Sequence, residues 1–196
     1  MRYFISDIHL NDLGTFNREH RPFKNCQTFQ KFLIKTWNKQ ATKQDEIFIV
    51  GDLFDCDNQH STGWKTSTDF IKKIKAKIVL IIRNNEEKII KYFFNNNFKQ
   101  FAQWCKENGI KEVHKHLLID FHNQKIFLTH RPENHKKNML NFFGHIHKAG
   151  GLYRPFGINL ACDLNYFKLF SEEYLLFLLN EKQTFWNTDI SLNFWK

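Results

Sequence analysis

Residues 46–55 read Glu46-Ile47-Phe48-Ile49-Val50-Gly51-Asp52-Leu53-Phe54-Asp55. The apolar run Ile47 to Val50 is too short for a helix, and its β-branched content makes it a buried strand. The run leads into Gly51-Asp52, so Asp52 falls just past the carboxyl end of that strand. Two other runs have the same form. Residues 2–6 (Arg2-Tyr3-Phe4-Ile5-Ser6) lead into Asp7, and residues 77–82 (Lys77-Ile78-Val79-Leu80-Ile81-Ile82) lead toward Asn84.

Between and after these strands the spacing changes to that of helices. Phe29, Leu33 and Trp37 stand four apart and predict an amphipathic helix over 27–38. Phe70, Ile71 and Ile74 predict another over about 66–76. Phe98, Phe101, Ala102 and Cys105 give a third stripe, stopped by Asn108-Gly109 in the manner of a helix C-terminus. Residues 111–121 and 124–129 predict two strands joined as a hairpin at His122-Asn123, with further strands near 139–143 and 157–161. Ser171-Glu172-Glu173 reads as an N-cap with first-turn acids ahead of a final apolar helix. Buried strands alternating with helices, plus one hairpin, predict a layered α/β fold with a mixed sheet system. Ligands gather at the carboxyl ends of strands in such folds. Asp7, Asp52, Asn84, His130 and His145 each follow a strand by a residue or two, and are expected to converge.

The composition narrows the class. A chain of 196 residues with 42% hydrophobic residues, 22 Phe and 5 Trp supports a packed aromatic core, and one domain is expected over 1–196. With 8 Gly and 3 Pro it has little material for long linkers. The net charge of +9, mostly from Lys, is open to two readings. It fits anionic partners such as nucleic acid or nucleotides, and it equally fits the compositional drift that makes Lys, Asn, Phe and Ile abundant together. Cys26, Cys56, Cys105 and Cys162 have no close spacing, which disfavours a disulfide framework and a zinc knuckle. Neither a signal-like amino terminus nor an apolar run of membrane-spanning length is present, so the expected setting is cytoplasmic, without a membrane partner. Nothing in the sequence sets an oligomeric state.

The chemistry-bearing residues are Asp7-Ile8-His9, Asp52, Asn84, His130 and Gly144-His145-Ile146-His147. They offer oxygen and imidazole donors with no thiolate, a set suited to Mn, Fe or Zn rather than to a structural zinc. They are too many for one ion and about right for two that share a carboxylate. Paired ions roughly 3.5–4 Å apart can clamp the oxygens of a phosphoryl group during in-line attack. Taken singly, each fragment has a plain structural explanation, such as a turn-capping Asp or a hydrogen-bonded core His. Their joint order at strand ends is what carries weight.

The ordered blocks Ser6-Asp7-Ile8-His9-Leu10, Gly51-Asp52-Leu53-Phe54-Asp55, Arg83-Asn84-Asn85-Glu86-Glu87, Thr129-His130-Arg131-Pro132 and Gly144-His145-Ile146-His147 resemble the calcineurin-like metallophosphoesterase superfamily. The family's usual blocks are D-x-H, G-D-x-x-D, G-N-H-[DE], a lone His, and G-H-x-H. Arg21-Pro22-Phe23, residues 33–38 and Ile158 to Asp163 are similar to its small single-domain bacterial and phage branch. The resemblance spans roughly residues 2–180. It implies a four-layer α/β/β/α sandwich of two mixed sheets flanked by helices, with two divalent ions at the sheet ends (Mn first, with Fe, Zn or Ni as alternatives).

Carried over block by block, the resemblance gives one ion to Asp7, His9 and His147 and the other to Asn84, His130 and His145. Asp52 bridges them and holds the attacking hydroxide of a phosphomonoester or phosphodiester hydrolase. Asp55 is weighed equally as an acceptor for a ligating histidine and as an exposed loop acid. The departure lies in the third block, where the family's glycine is Arg83 and its histidine is Asn85. That histidine sits over the phosphate and assists the leaving group, whereas an amide supplies only a hydrogen bond. Losing a general acid typically costs about a hundred- to ten-thousand-fold in rate. Arg83, His20 and Arg131 are substitutes for the acid, and Arg21, His20 and Arg131 are candidate substrate contacts. Some superfamily members that lost this histidine became scaffolds, so a weakened binding module stays open beside the enzyme and beside a nucleic-acid phosphodiesterase. An alignment with Asn85 as the ligand stays open as well.

Overall fold

In the computed structural model, which describes residues 1–187, the strands form two five-stranded mixed sheets. The first is built on β1 (Arg2–Ile5), β2 (Glu46–Val50), β3 (Lys77–Ile81) and β4 (Ile110–His114), parallel and in chain order. The second runs β5 (Leu117–Phe121), β6 (Gln124–Leu128), β7 (Leu140–Phe143), β9 (Gly157–Asn159), β8 (Tyr153–Arg154); its inner pairs are parallel and its outer pairs antiparallel. β10 (Phe170–Ser171) then returns to the first sheet, antiparallel to β1.

The first sheet reads as continuous apolar runs because both of its faces are covered. Tyr3, Ile5, Ile47, Ile49, Ile78 and Leu80 face the helices α1 (Leu13–Arg18), α2 (Cys26–Gln40), the single turns α3 (Gly63–Thr66) and α4 (Thr68–Ile71), α5 (Asn85–Phe93) and α6 (Phe98–Glu107). Phe4, Phe48, Val50, Val79 and Ile81 face the second sheet through Ile119, Phe121, Ile126, Leu128, Phe142 and Ile158. α7 (Glu172–Asn187) adds Leu175, Leu178 and Leu179 to that inner core. The architecture is the expected α/β sandwich of two mixed sheets flanked by helices. The helical cover is uneven, and β5 leaves Leu118 41% exposed on the outer side of the second sheet.

Several elements differ from the sequence reading: α1, β8 and β10 were not foreseen, and three further differences follow. The helix expected over 66–76 is two separate turns. Thr66, Ser67 and Thr68 explain it: their hydroxyls donate to Gly63 O, Gly63 O and Lys65 O at 2.8, 3.2 and 3.0 Å, so local side-chain bonds compete with a continuous helix. The strand expected over 111–121 is two strands in different sheets, with the crossing at Lys115-His116. α5 was not foreseen, although Glu86 and Glu87 in its first turn and Ile89, Ile90 and Phe93 on one face mark it. Among the described residues, no helix is long and apolar enough to cross a membrane, and all four cysteines are free and buried.

Phe4 sits where the sheets meet, fully buried, with Phe48 stacked at 5.1 Å and Phe142 edge-on at 5.4 Å. Phe4→Ala should therefore lower unfolding stability by about 3–5 kcal/mol, read as the midpoint shift in urea at constant m-value. A loss under about 1 kcal/mol would mean that the sheets do not depend on this aromatic contact.

Candidate metal centre

β1, β2 and β3 lie side by side and release Asp7, Asp52 and Asn84 from neighbouring ends, while β6 and β7 bring His130 and His145 from the second sheet. The backbone there turns in an unusual way. Asp7, His9, Asp52, Asn84, His145 and His147 all have positive φ, from 35° to 75°. Each non-glycine residue in that region costs about 1–3 kcal/mol, and such strain concentrates at functional sites. Gly51, at φ 84°, makes the close approach: a Cβ on it would overlap the His130 ring.

The side chains form two groups, Asp7 with His9 and His147, and Asp52 with His130 and His145. Within each group the donor atoms lie within 4.8 Å of one another. Asp52 Oδ2 spans the groups, 3.6 Å from His9 Nε2 and 3.3 Å from His130 Nε2. Asp7 Oδ1 lies 3.7 Å from His147 Nε2 and 3.8 Å from His130 Nε2. His9 Nε2 is buried and has no hydrogen-bond partner. An unpartnered buried nitrogen facing carboxylates, among converging oxygen and imidazole donors, fits a divalent cation.

Asn84 is the exception in orientation. Its amide nitrogen faces His145 Nδ1 at 2.8 Å and His130 Nε2 at 3.4 Å, while its oxygen accepts from Arg131 Nε at 2.7 Å. Offering the oxygen to a cation requires the amide to turn about Cβ–Cγ. Asn85 donates to Phe54 O at 2.9 Å and faces one imidazole, His9 Nδ1 at 3.4 Å, so Asn84 is the amide that stands between two imidazoles.

Each inner imidazole is held by its other nitrogen. His130 Nδ1 meets Val50 O at 2.8 Å, His147 Nδ1 meets Asp163 Oδ2 at 2.8 Å, and His9 Nδ1 meets Asp12 Oδ2 at 3.2 Å. An Nδ1–H donated in this way turns Nε2 toward the centre, where its lone pair becomes available once that nitrogen loses its proton. Asp12 also caps α1 through Thr15 N at 2.8 Å, tying the orientation of His9 to a helix start. Asp12 thus occupies the acceptor position weighed for Asp55. Asp55 instead keeps one buried oxygen unpartnered, and burial beside Asp12 and Asp57 pushes its carboxyl up to about 6.

Arg21 requires correction as a substrate contact. Its guanidinium is fully buried, donating to Ile8 O at 2.6 Å and Asp7 O at 2.7 Å and pairing with Asp163 at 3.1 Å. It therefore secures the Asp7 turn and the acceptor of His147. Glu86, whose role was not read from the sequence, is wholly buried and accepts from the backbone N–H groups of Asp52, Leu53, Phe54 and Arg83. Its signal was the acid closing the third block.

The electrostatics follow from crowding acids out of water. Burial, then the charge of Asp52, push Glu86 up to about 8. Burial also opposes the Asp52 charge, yet His130 and His9 hold that carboxyl well below the usual range. Burial opposes the His130 charge in turn, and Asp52 and Asp7 override it, pushing the imidazole up to about 9.

Two cavities open onto this centre and share Asp52 and Asn84. One, about 390 Å³, is lined by His9, Arg18, Glu19, His145, Ile146, His147 and Ala149. The other, about 460 Å³, runs along α5 past Asn85 to Arg131. His20 is exposed and lines neither; Arg18 and Glu19 stand there instead. Arg83 also lines neither, pairing with Glu87 at 3.1 Å.

Gly51→Ala should lower stability by about 2–5 kcal/mol, from left-handed backbone plus overlap with His130. The check is urea unfolding of metal-free protein. An unchanged midpoint would remove the close strand-to-imidazole approach from this description.

Comparison with known proteins bears on the same residues. A relative from Methanocaldococcus jannaschii, itself uncharacterized, is 28% identical over 144 residues, 74% of this chain and 65% of its own. A UDP-2,3-diacylglucosamine hydrolase from Aliivibrio fischeri is 24% identical over 131 residues, 65% of this chain. The chain thus spans less than two thirds of each, and 46% of the second. A protein of unknown function from Aquifex aeolicus shares the fold at TM-score 0.64 and 19% identity, over 91% of this chain and 98% of that one. A family model described as calcineurin-like phosphoesterase matches residues 3–169, a stretch that contains Asp7, His9, Asp52, Asn84, His130, His145 and His147. The chain belongs to the calcineurin-like phosphoesterase family.

Proposed function

We propose that this protein is a cytoplasmic phosphoesterase that works with two divalent ions, Mn first and Fe, Zn or Ni as alternatives. Asp7, His9 and His147 would hold one ion; His130 and His145, with Asn84 after its amide turns, would hold the other; Asp52 would touch both. The observation that carries this reading is Asp52 Oδ2 standing within 3.6 Å of an imidazole nitrogen from each group. Bound there, the ions supply Lewis acidity toward a phosphoryl oxygen and lower the pKa of a water.

The chain's own groups do the rest. Val50 O, Asp12 and Asp163 fix the imidazoles with Nε2 facing inward. Arg131, at the mouth of the α5 cavity, is placed to orient a substrate phosphate with its planar fork. Asn85 lines the same cavity but gives its amide hydrogen to Phe54 O, so it protonates no leaving group. Esters whose leaving groups depart unprotonated are the favoured substrates. That same asparagine supports a second reading, a binding module in which turnover has weakened.

Asp52→Asn should leave fewer than two ions per chain and reduce turnover at least about a hundredfold, by metal analysis and 4-nitrophenyl ester hydrolysis. Two ions with unchanged turnover would refute the bridging role. Asn85→His, alone and with Arg83→Gly, should speed hydrolysis of alkyl phosphate esters more than that of nitrophenyl esters. If no variant hydrolyses any ester while the ions remain bound, the binding-module reading prevails.

A further inference from the structure

The α5 cavity has walls that the metal centre does not need. Lys88, Lys91 and Tyr92 line it, spaced so that all three share one face of α5, opposite the buried Ile89 and Ile90. Neither ammonium makes an ion pair among the described residues; Lys91 lies over the Tyr92 ring, 5.5 Å from its centroid. The acid of this wall, Glu87, is already paired with Arg83. Arg131 forms the other side, paired with Glu133 at 3.2 Å and donating to Asn84 Oδ1 at 2.7 Å on the floor that Asp52 and Asn84 share with the metal centre. At about 460 Å³, the cavity has the size of a small-ligand site.

A phosphoryl group at the metal centre therefore has next to it a pocket with two ammonium groups outside any ion pair and a half-exposed aromatic ring. Cations select a further anion, and an aromatic face in the same pocket selects a flat ring. We infer that Lys88 and Lys91 form a subsite for a second phosphate on the substrate, one nucleoside away from the phosphate at the metals, with Tyr92 stacking on the base. The inference rests on the phosphoesterase reading, because it takes the metal centre as the place of the first phosphate. The second phosphate can come from a free nucleotide or from a polynucleotide backbone.

Two measurements on the full-length, manganese-loaded chain test this. The first is equilibrium binding of thymidine 3′,5′-bisphosphate by calorimetry. Lys88→Ala/Lys91→Ala should raise its Kd about tenfold, whereas Lys136→Ala/Lys137→Ala, in a different basic cavity, should not. Tyr92→Leu should weaken this nucleotide more than inorganic pyrophosphate. The second compares kcat/KM for thymidine 5′-(4-nitrophenyl phosphate) with and without a 3′-phosphate. Wild type should favour the 3′-phosphorylated ester about tenfold, and the Lys88/Lys91 variant should lose that preference.

If wild type hydrolyses both esters equally, the subsite is refuted and the phosphoesterase reading stands. If it hydrolyses neither, yet bisphosphate binding still depends on Lys88 and Lys91, the subsite stands and the enzyme reading falls. Binding that ignores both lysines refutes the subsite. Octathymidylate displacing the bisphosphate at about tenfold lower concentration, with a steep salt dependence, makes the polynucleotide backbone the source. Equal displacement makes it the free nucleotide.

Discussion

Asp7 and Asp52 are carried out of adjacent parallel strands and buried side by side, 0% and 4% exposed. Taking two such anions out of water costs several kcal/mol each unless cations or donors compensate. The surrounding architecture answers that constraint. Asp7 accepts the His145 backbone N–H at 2.9 Å and the Ser6 hydroxyl at 2.6 Å, and Asp52 accepts the Asn85 N–H at 3.3 Å. Imidazoles fill the remaining directions: beyond the left-handed turns at Asp7 and Asp52, His130 Nε2 lies 3.8 Å from one carboxylate and 3.3 Å from the other. Gly144 belongs to the same arrangement, since a Cβ there would overlap Ser6 and Asp7.

Around the donors lies a layer that fixes them. Arg21, Asp163 and His147 form a continuous chain from the Asp7 turn to an imidazole, and the Arg21 guanidinium packs 4.8 Å over Phe29 of α2. Glu86 gathers the amides of the Asp52 turn and of Arg83, so the ends of β2 and β3 and the start of α5 are tied together. This layer restricts how far the donors can spread, which is what a metal site of defined geometry requires.

Much of the fold was legible because the first sheet is buried on both faces and so appears as apolar runs. The convergence of the candidate donors was legible because they directly follow those runs. What stayed hidden depended on information that no local pattern holds. Arg21 lies beside a motif and looks like a phosphate contact; only packing reveals that three backbone and carboxylate partners enclose it. The competition between Asp12 and Asp55 for His9 turns on where α1 starts, a boundary that the sequence reading left unassigned. The chain's change of sheet at Lys115-His116 leaves no mark in the sequence, because neither residue is a Gly, Pro, Asn or Asp that would signal a turn. Lys88 and Lys91 could not be separated from the other scattered lysines until α5 put them on the wall of a cavity.

The central claim is that the two side-chain groups sharing Asp52 each seat one divalent ion. Anomalous scattering from a manganese-loaded crystal tests it most directly. The account predicts two anomalous peaks roughly 3.5–4 Å apart, one among Asp7, His9 and His147 and one among Asn84, His130 and His145, with Asp52 touching both. A single peak, or ions held at Glu19, Asp163 and His147 instead, would contradict it.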